Sequence, residues 1–167
     1  MIETNDLLIR KLEKEDFFKL YTIKNEKEII FWENHFFSFP YARFEKIYND
    51  YFMKEDVILQ SIIEKHINEV IGEVVAYLDW KNKSAEIGLT ISKSFWGKGY
   101  GGMVILNVSS YLLTKMMFHR VEAKVLETNL ASIKAFLKSG FQKEGIMKDA
   151  RIHNGKYEDL ILFSKII

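Results

Sequence analysis

The chain has 167 residues, 48% hydrophobic and 28% charged, with a formal net charge of +1. That length suits one domain, 1–167, with a core large enough to need no metal or disulfide staple. The even mixture of charge argues against a dedicated nucleic-acid binder. Cysteine is absent, which excludes disulfides, thiolate catalysis and cysteine-ligated zinc.

Met1–Asp6 shows neither a basic start nor an apolar run, so no secretory signal is expected. No uncharged apolar stretch reaches the ~18 residues of a membrane span. A cytoplasmic protein without membrane partners is the expectation. The four histidines, His35, His66, His119 and His153, show no metal-ligand spacing, so no metal is expected. Many of the 13 Phe and 8 Tyr fall in the first third of the chain, where some are expected to line a pocket or an interface such as a homodimer face.

Leu7–Leu12 alternates as a short strand. Glu13 or Asp16 is placed to cap a helix running to about Asn25, with Phe17, Leu20, Tyr21 and Lys24 on one face. Phe36, Phe37 and Phe39 precede Pro40, the one proline, in a loop. A second helix follows over Tyr41–Lys54, where Phe44, Ile47, Tyr48 and Tyr51 share a face. Val57–Ile63, Val70–Trp80 and Ala85–Ile91 read as an antiparallel meander, being β-branched runs parted by polar turns. Val104, Val108, Tyr111 and Leu112 predict a helix over Gly101–Phe118. Arg120–Leu126 is a strand, and Ser132 suits the N-cap of a short helix ending before Gly140. Phe141–Ile152 and Lys156–Ile166 flank Asn154-Gly155, a hairpin signal. The elements imply an α+β fold, a mixed, mostly antiparallel sheet of about seven strands flanked by about four helices.

The chemistry is concentrated in Phe95-Trp96-Gly97-Lys98-Gly99-Tyr100-Gly101-Gly102, between a strand and a helix. Glycines admit a ligand close to the backbone, and a helix N-terminus offers unpaired N–H groups and a positive dipole end. Such a loop suits phosphate or pyrophosphate. The nucleotide-triphosphate pattern G-x-x-x-x-G-K-[ST] is absent. Gly97, Gly99 and Gly102 formally match the dinucleotide pattern G-x-G-x-x-G, with Glu122 at the ribose-contact spacing. However, that loop normally follows the first strand of its fold, and here several strands precede it.

The segment Trp96-Gly97-Lys98-Gly99-Tyr100-Gly101 resembles the acyl-CoA loop of the GNAT (Gcn5-related N-acetyltransferase) superfamily, [QR]-x-x-G-x-[GA]. Trp96 departs from Gln or Arg but is similar to the branch containing ribosomal-protein N-terminal acetyltransferases. The resemblance extends to Asn129-Leu130-Ala131-Ser132, Gly140-Phe141 and Asn154-Gly155-Lys156-Tyr157.

The resemblance implies a GNAT fold and an N-acetyltransferase using acetyl-CoA as co-substrate, with a primary amine as acceptor: a protein or peptide α-amino group, or a small molecule. It implies that Trp96, Gly97, Lys98, Gly99, Tyr100, Gly101 and Gly102 hold the pyrophosphate, that Leu89-Thr90-Ile91 carries the pantetheine arm, and that Asn129 contacts the cofactor. A backbone N–H in the Leu89–Ile91 stretch would face the thioester carbonyl. Glu86 resembles the strand glutamate that serves several members as general base. Trp32 and Glu33, in a loop between the first helices, resemble the acidic acceptor contacts of spermidine acetyltransferases. Many members carry an acid tyrosine seven residues after the asparagine. Here that position is Phe136, so water is expected to protonate the departing thiolate, whose pKa is about 8.5. The alternatives are a polyamine acetyltransferase and a domain that binds acyl-CoA as a sensor without transfer.

Overall fold

Strand alternation and helical periodicity are realised in the computed structural model, which describes residues 1–33 and 40–167. Among the described residues the order is β1 (Ile2–Glu3), β2 (Leu7–Lys11), α1 (Phe17–Lys24), α2 (Lys27–Glu33), α3 (Tyr41–Phe52), β3 (Val57–Glu64), β4 (Glu69–Asp79), β5 (Ser84–Ile91), α4 (Tyr100–Thr114), β6 (Arg120–Leu126), α5 (Leu130–Lys138), β7 (Gln142–His153) and β8 (Lys156–Ile166). The expected elements are present, joined by β1 and α2. The fold is mixed and mostly antiparallel, with eight strands and five α-helices among the described residues. His35, Phe36, Phe37 and Phe39 lie outside the described residues.

The chain divides into two units, Met1–Tyr77 with Gly88–Lys98, and Leu78–Ile87 with Gly99–Ile167. In the first, β1, β2, β3 and β4 pair antiparallel in sequence order, with Ile9 opposite Ile62 and Val57 opposite Tyr77. Leu7 and Ile9 are fully buried, as period-2 alternation requires. Leu12, Phe17, Leu20, Ile23, Ile29 and Phe44 gather with Tyr48 into one core cluster. Phe44 and Tyr48 stack at 3.9 Å, and Phe17 meets Tyr48 edge-on at 5.6 Å. Each such buried side chain contributes about 1.5–3 kcal/mol.

Asp16 occupies the N-cap position of α1 without a side-chain capping bond to it, and forms a capping box with Glu13 on the 3-10 turn Lys14–Asp16 that leads into the helix. Its carboxylate accepts from both Arg10 terminal nitrogens (2.7 and 2.8 Å), from the Ser61 hydroxyl (2.6 Å) and from the Glu13 backbone N–H (3.0 Å). Burial alone would raise its pKa, but the bonds from Arg10 and Ser61 overcome this and hold the carboxyl below its ordinary value. The ionised form is therefore favoured by folding, so this stabilisation is present above the usual aspartate pKa and is lost as pH falls through the lower folded value. Asp16→Asn is expected to cost about 2 kcal/mol at neutral pH. Thermal melts from neutral to strongly acidic pH check this: the gap between the proteins narrows as Asp16 protonates, and a pH-independent gap would show that shape rather than charge matters.

Gly72 on β4 marks a close approach. A Cβ there would stand 2.1 Å from the Thr90 carbonyl oxygen on β5, nearer than any side chain permits. The Ser92 N–H donates to the Ile71 carbonyl at 2.8 Å. Beyond β5 the Glu26 carboxylate accepts from the Ser92 hydroxyl and the Lys93 N–H, both at 2.7 Å, and so fixes a short 3-10 turn, Lys93–Phe95.

In the second unit, Ser84–Glu86 of β5 runs parallel to Arg120–Glu122 of β6. β8 pairs antiparallel with β6 on one side and β7 on the other. The Asn154-Gly155 turn closes the β7–β8 hairpin, with His153 opposite Lys156. α4 buries Val104, Ile105, Val108 and Leu112 and stops at Thr114, short of the expected Phe118. Met117 takes φ of 58°, which ends helical geometry, and the Phe118 N–H returns to the Leu112 carbonyl at 3.0 Å while its ring is buried. α5 starts earlier than expected because Asn129, rather than Ser132, caps it. Asn129 Oδ1 accepts the Ser132 N–H at 3.1 Å, which places Ser132 inside the first turn.

Candidate active site

Gly97 and Gly99 hold φ of 79° and 82°, a region costly for residues with a Cβ. A Cβ at either would meet no protein atom within 4 Å. The backbone conformation therefore favours glycine, and the space beside the loop is open to a ligand. Gly99 caps α4, and the first bond of the helical ladder runs from the Met103 N–H to the Gly99 carbonyl at 3.1 Å. The amides of the first turn precede that ladder and face out of the helix. This arrangement fits the pyrophosphate of an acyl-CoA.

Trp96 fastens the start of the loop. Its indole Nε1–H donates to the Ile91 carbonyl at 2.6 Å, and the Lys93 ammonium lies 4.3 Å from the ring centroid. The Lys98 ammonium lies over Phe95 at 4.8 Å. Of the strand residues expected to carry the pantetheine arm, Thr90 and Ile91 are buried and Leu89 is half-buried.

The first unit contains a cavity of about 270 Å³ that the sequence did not reveal as such. Aromatic rings of Tyr21 and Phe44, together with Tyr48, Tyr51 and Tyr77, form much of its wall, and Lys24, Glu33 and Glu73 supply its charge. Lys24 Nζ stands 2.8 and 3.0 Å from the two oxygens of Glu33, 2.8 Å from Glu73 Oε1 and 2.8 Å from Thr90 Oγ1. The Thr90 hydroxyl donates to Glu33 Oε1, and the Tyr48 hydroxyl donates to Glu73 Oε2 at 2.7 Å. Burial would lower the Lys24 pKa, but the charges of Glu73 and Glu33 outweigh it and hold the ammonium above its usual range. Burial, reinforced by the Glu73 charge, pushes the Tyr48 phenol up and keeps it neutral.

Of the expected acceptor contacts, Glu33 reaches this cavity and Trp32 does not line it. Both lie in helix α2 rather than in a loop. The Trp32 ring packs edge-on to Phe31 at 4.9 Å. Glu86 is not among the cavity residues. It pairs with Lys124 on β6 at 2.6 Å, with both side chains more than a third exposed. Asn129 serves as the cap of α5. Phe136 is 3% exposed, 5.1 Å from Phe141 and 5.9 Å from Phe163 between ring centroids, so packing accounts for an apolar ring there. Glu122, the formal ribose contact of a dinucleotide site, bonds Arg120 at 2.8 Å.

Lys24 and Glu73 are the residues sequence reasoning missed. Each carried a signal. Lys24 shares the apolar face of α1 with Phe17 and Leu20, and Glu73 interrupts the run Val70-Ile71-Gly72-Glu73-Val74-Val75. Charges in such positions are rarely left unpaired. Among the described residues no cluster of His, Asp and Glu suits a metal, and no helix is long and apolar enough to cross a membrane.

Comparison with known proteins agrees with the fold. The acetyltransferase (GNAT) domain family matches residues 6–142. The N-acetyltransferase p20 of Bacillus licheniformis is 33% identical over 96% of this chain and 93% of its own length. The crystal structure of spermidine N-acetyltransferase from Vibrio cholerae in complex with CoA and spermine superposes with a TM-score of 0.89 at 21% identity, covering 98% of this chain and 96% of that one. The ribosomal-protein-S5-alanine acetyltransferase from Vibrio fischeri gives 0.86 at 21%, covering 99% and 95%. The chain is therefore a member of the GNAT family of acetyl-CoA-dependent N-acetyltransferases.

Proposed function

We propose that the acetyl acceptor is a small primary amine bound in the cavity lined by Glu33 and Glu73. The observation that carries this reading is the carboxylate pair, bridged by Lys24 and bonded through Glu33 to Thr90 on β5. Thr90 belongs to the strand whose family counterpart carries the pantetheine arm. Relatives act, by their names, on spermidine and on a ribosomal protein. A cavity of about 270 Å³ falls just below the ~300–1,000 Å³ of typical ligand pockets, which favours a small molecule over a peptide.

The acceptor enters as ammonium, the dominant form near neutral pH. Glu33 takes its proton, directly or through water, and the freed lone pair attacks the acetyl carbonyl. The C–N bond forms, its nitrogen gives up a second proton to water, the C–S bond breaks, and the departing thiolate takes a proton from water. The backbone amides of 97–102 bind the pyrophosphate, and an N–H of the Leu89–Ile91 stretch stabilises the oxyanion.

Transfer of isotopically labelled acetyl groups to a panel of primary amines tests the proposal. Saturable N-acetylation of a small amine is expected. Binding of acetyl-CoA without transfer to any amine would favour the sensor reading and overturn this one.

A further inference from the structure

The charge balance of the cavity restricts the acceptor further. Its charged lining consists of Glu33, Glu73 and Lys24 among the described residues, while burial keeps the Tyr48 and Tyr77 phenols neutral. The stretch 34–39 contains no Asp or Glu, so it can add no negative charge. The wall therefore carries at most one net negative charge. Lys24 is not a loose surface lysine. Its ammonium is 2.8 Å from both carboxylates, and its side chain is only 20% exposed. One cation of any acceptor is matched by this wall, and a second would face an ammonium already seated between the carboxylates.

The remaining wall is aromatic and apolar. Tyr21, Phe44, Tyr51 and Tyr77 present rings to the cavity together with Ile47 and Val75. Rings of this kind bury an apolar body and attract one adjacent cation through their faces.

We infer that the acceptor is a monocationic primary amine borne on an aromatic or apolar body, and that Lys24 excludes polyamines by occupying the place of their second ammonium. This rests on the reading of the cavity as the acceptor site.

The test compares kcat/KM for 2-phenylethylamine, spermidine and an alanine-initiated peptide, in the full chain and in Lys24→Met. Wild type is expected to favour 2-phenylethylamine over spermidine by at least about tenfold, and Lys24→Met to move that ratio toward spermidine by roughly tenfold or more, the scale of one unscreened charge pair. Equal or better use of spermidine by wild type would overturn the inference while leaving the small-amine reading intact. Transfer to the peptide alone, or to none of the three, would overturn that reading as well. If Lys24→Met does not fold, as circular dichroism would reveal, the wild-type ratio decides.

Discussion

Replacing Gly99 with glutamate is expected to abolish acetyl-CoA binding, raising the dissociation constant by at least about a hundredfold, as one close like-charge contact near the protein surface allows. Two effects add. Gly99 has φ of 82°, and a side-chain-bearing residue pays about 1–2 kcal/mol to stay there. The new carboxylate also reaches into the open space beside the loop, where the first turn of α4 would meet pyrophosphate, and repels it. Gly99→Ala separates the two, because it carries the strain without the charge and should weaken binding far less. Calorimetric titration with acetyl-CoA measures both variants, and thermal melts report the strain independently. Affinity in Gly99→Glu within a few-fold of wild type would remove the loop from the cofactor site.

The second large effect concerns the proton acceptor. Glu33→Gln keeps the shape and a hydrogen-bonding carbonyl for Thr90 and Lys24, but cannot take a proton from the incoming amine. A fall in kcat/KM of about 10²–10⁴ is expected, the usual contribution of general-base catalysis, with acetyl-CoA affinity unchanged. Glu86→Gln is the contrasting variant. Its carboxylate is engaged with Lys124 across β5 and β6, a half-exposed pair worth at most about 1 kcal/mol, so activity should change only slightly. Steady-state rates with saturating acetyl-CoA distinguish the cases. Retained rates in Glu33→Gln combined with a collapse in Glu86→Gln would return the base to the strand glutamate suggested by resemblance.

Much of the architecture is legible residue by residue because its signals are local. Leu7, Ile9 and their neighbours alternate. Val104, Val108 and Leu112 repeat at helical spacing. Asn154-Gly155 announces its hairpin, and the glycines of 97–102 announce a tight turn into α4. Helix α2 escaped because seven residues give too short a window for periodicity. Asn129 and Ser132 compete for one cap, and the choice turns on backbone geometry that composition does not carry.

Family membership and the lack of an acid hydroxyl at Phe136 are readable without a structure, since each depends on residue types at fixed local spacing. Which charges meet depends on segments far apart in the chain. Lys24, Glu33, Glu73 and Thr90 come from α1, α2, β4 and β5, and Thr90 lies 66 residues along the chain from Lys24. A charge placed among apolar neighbours announces that a partner exists, because leaving it unpaired away from water is costly. The identity of that partner depends on how helices pack over the strands, which no local spacing records.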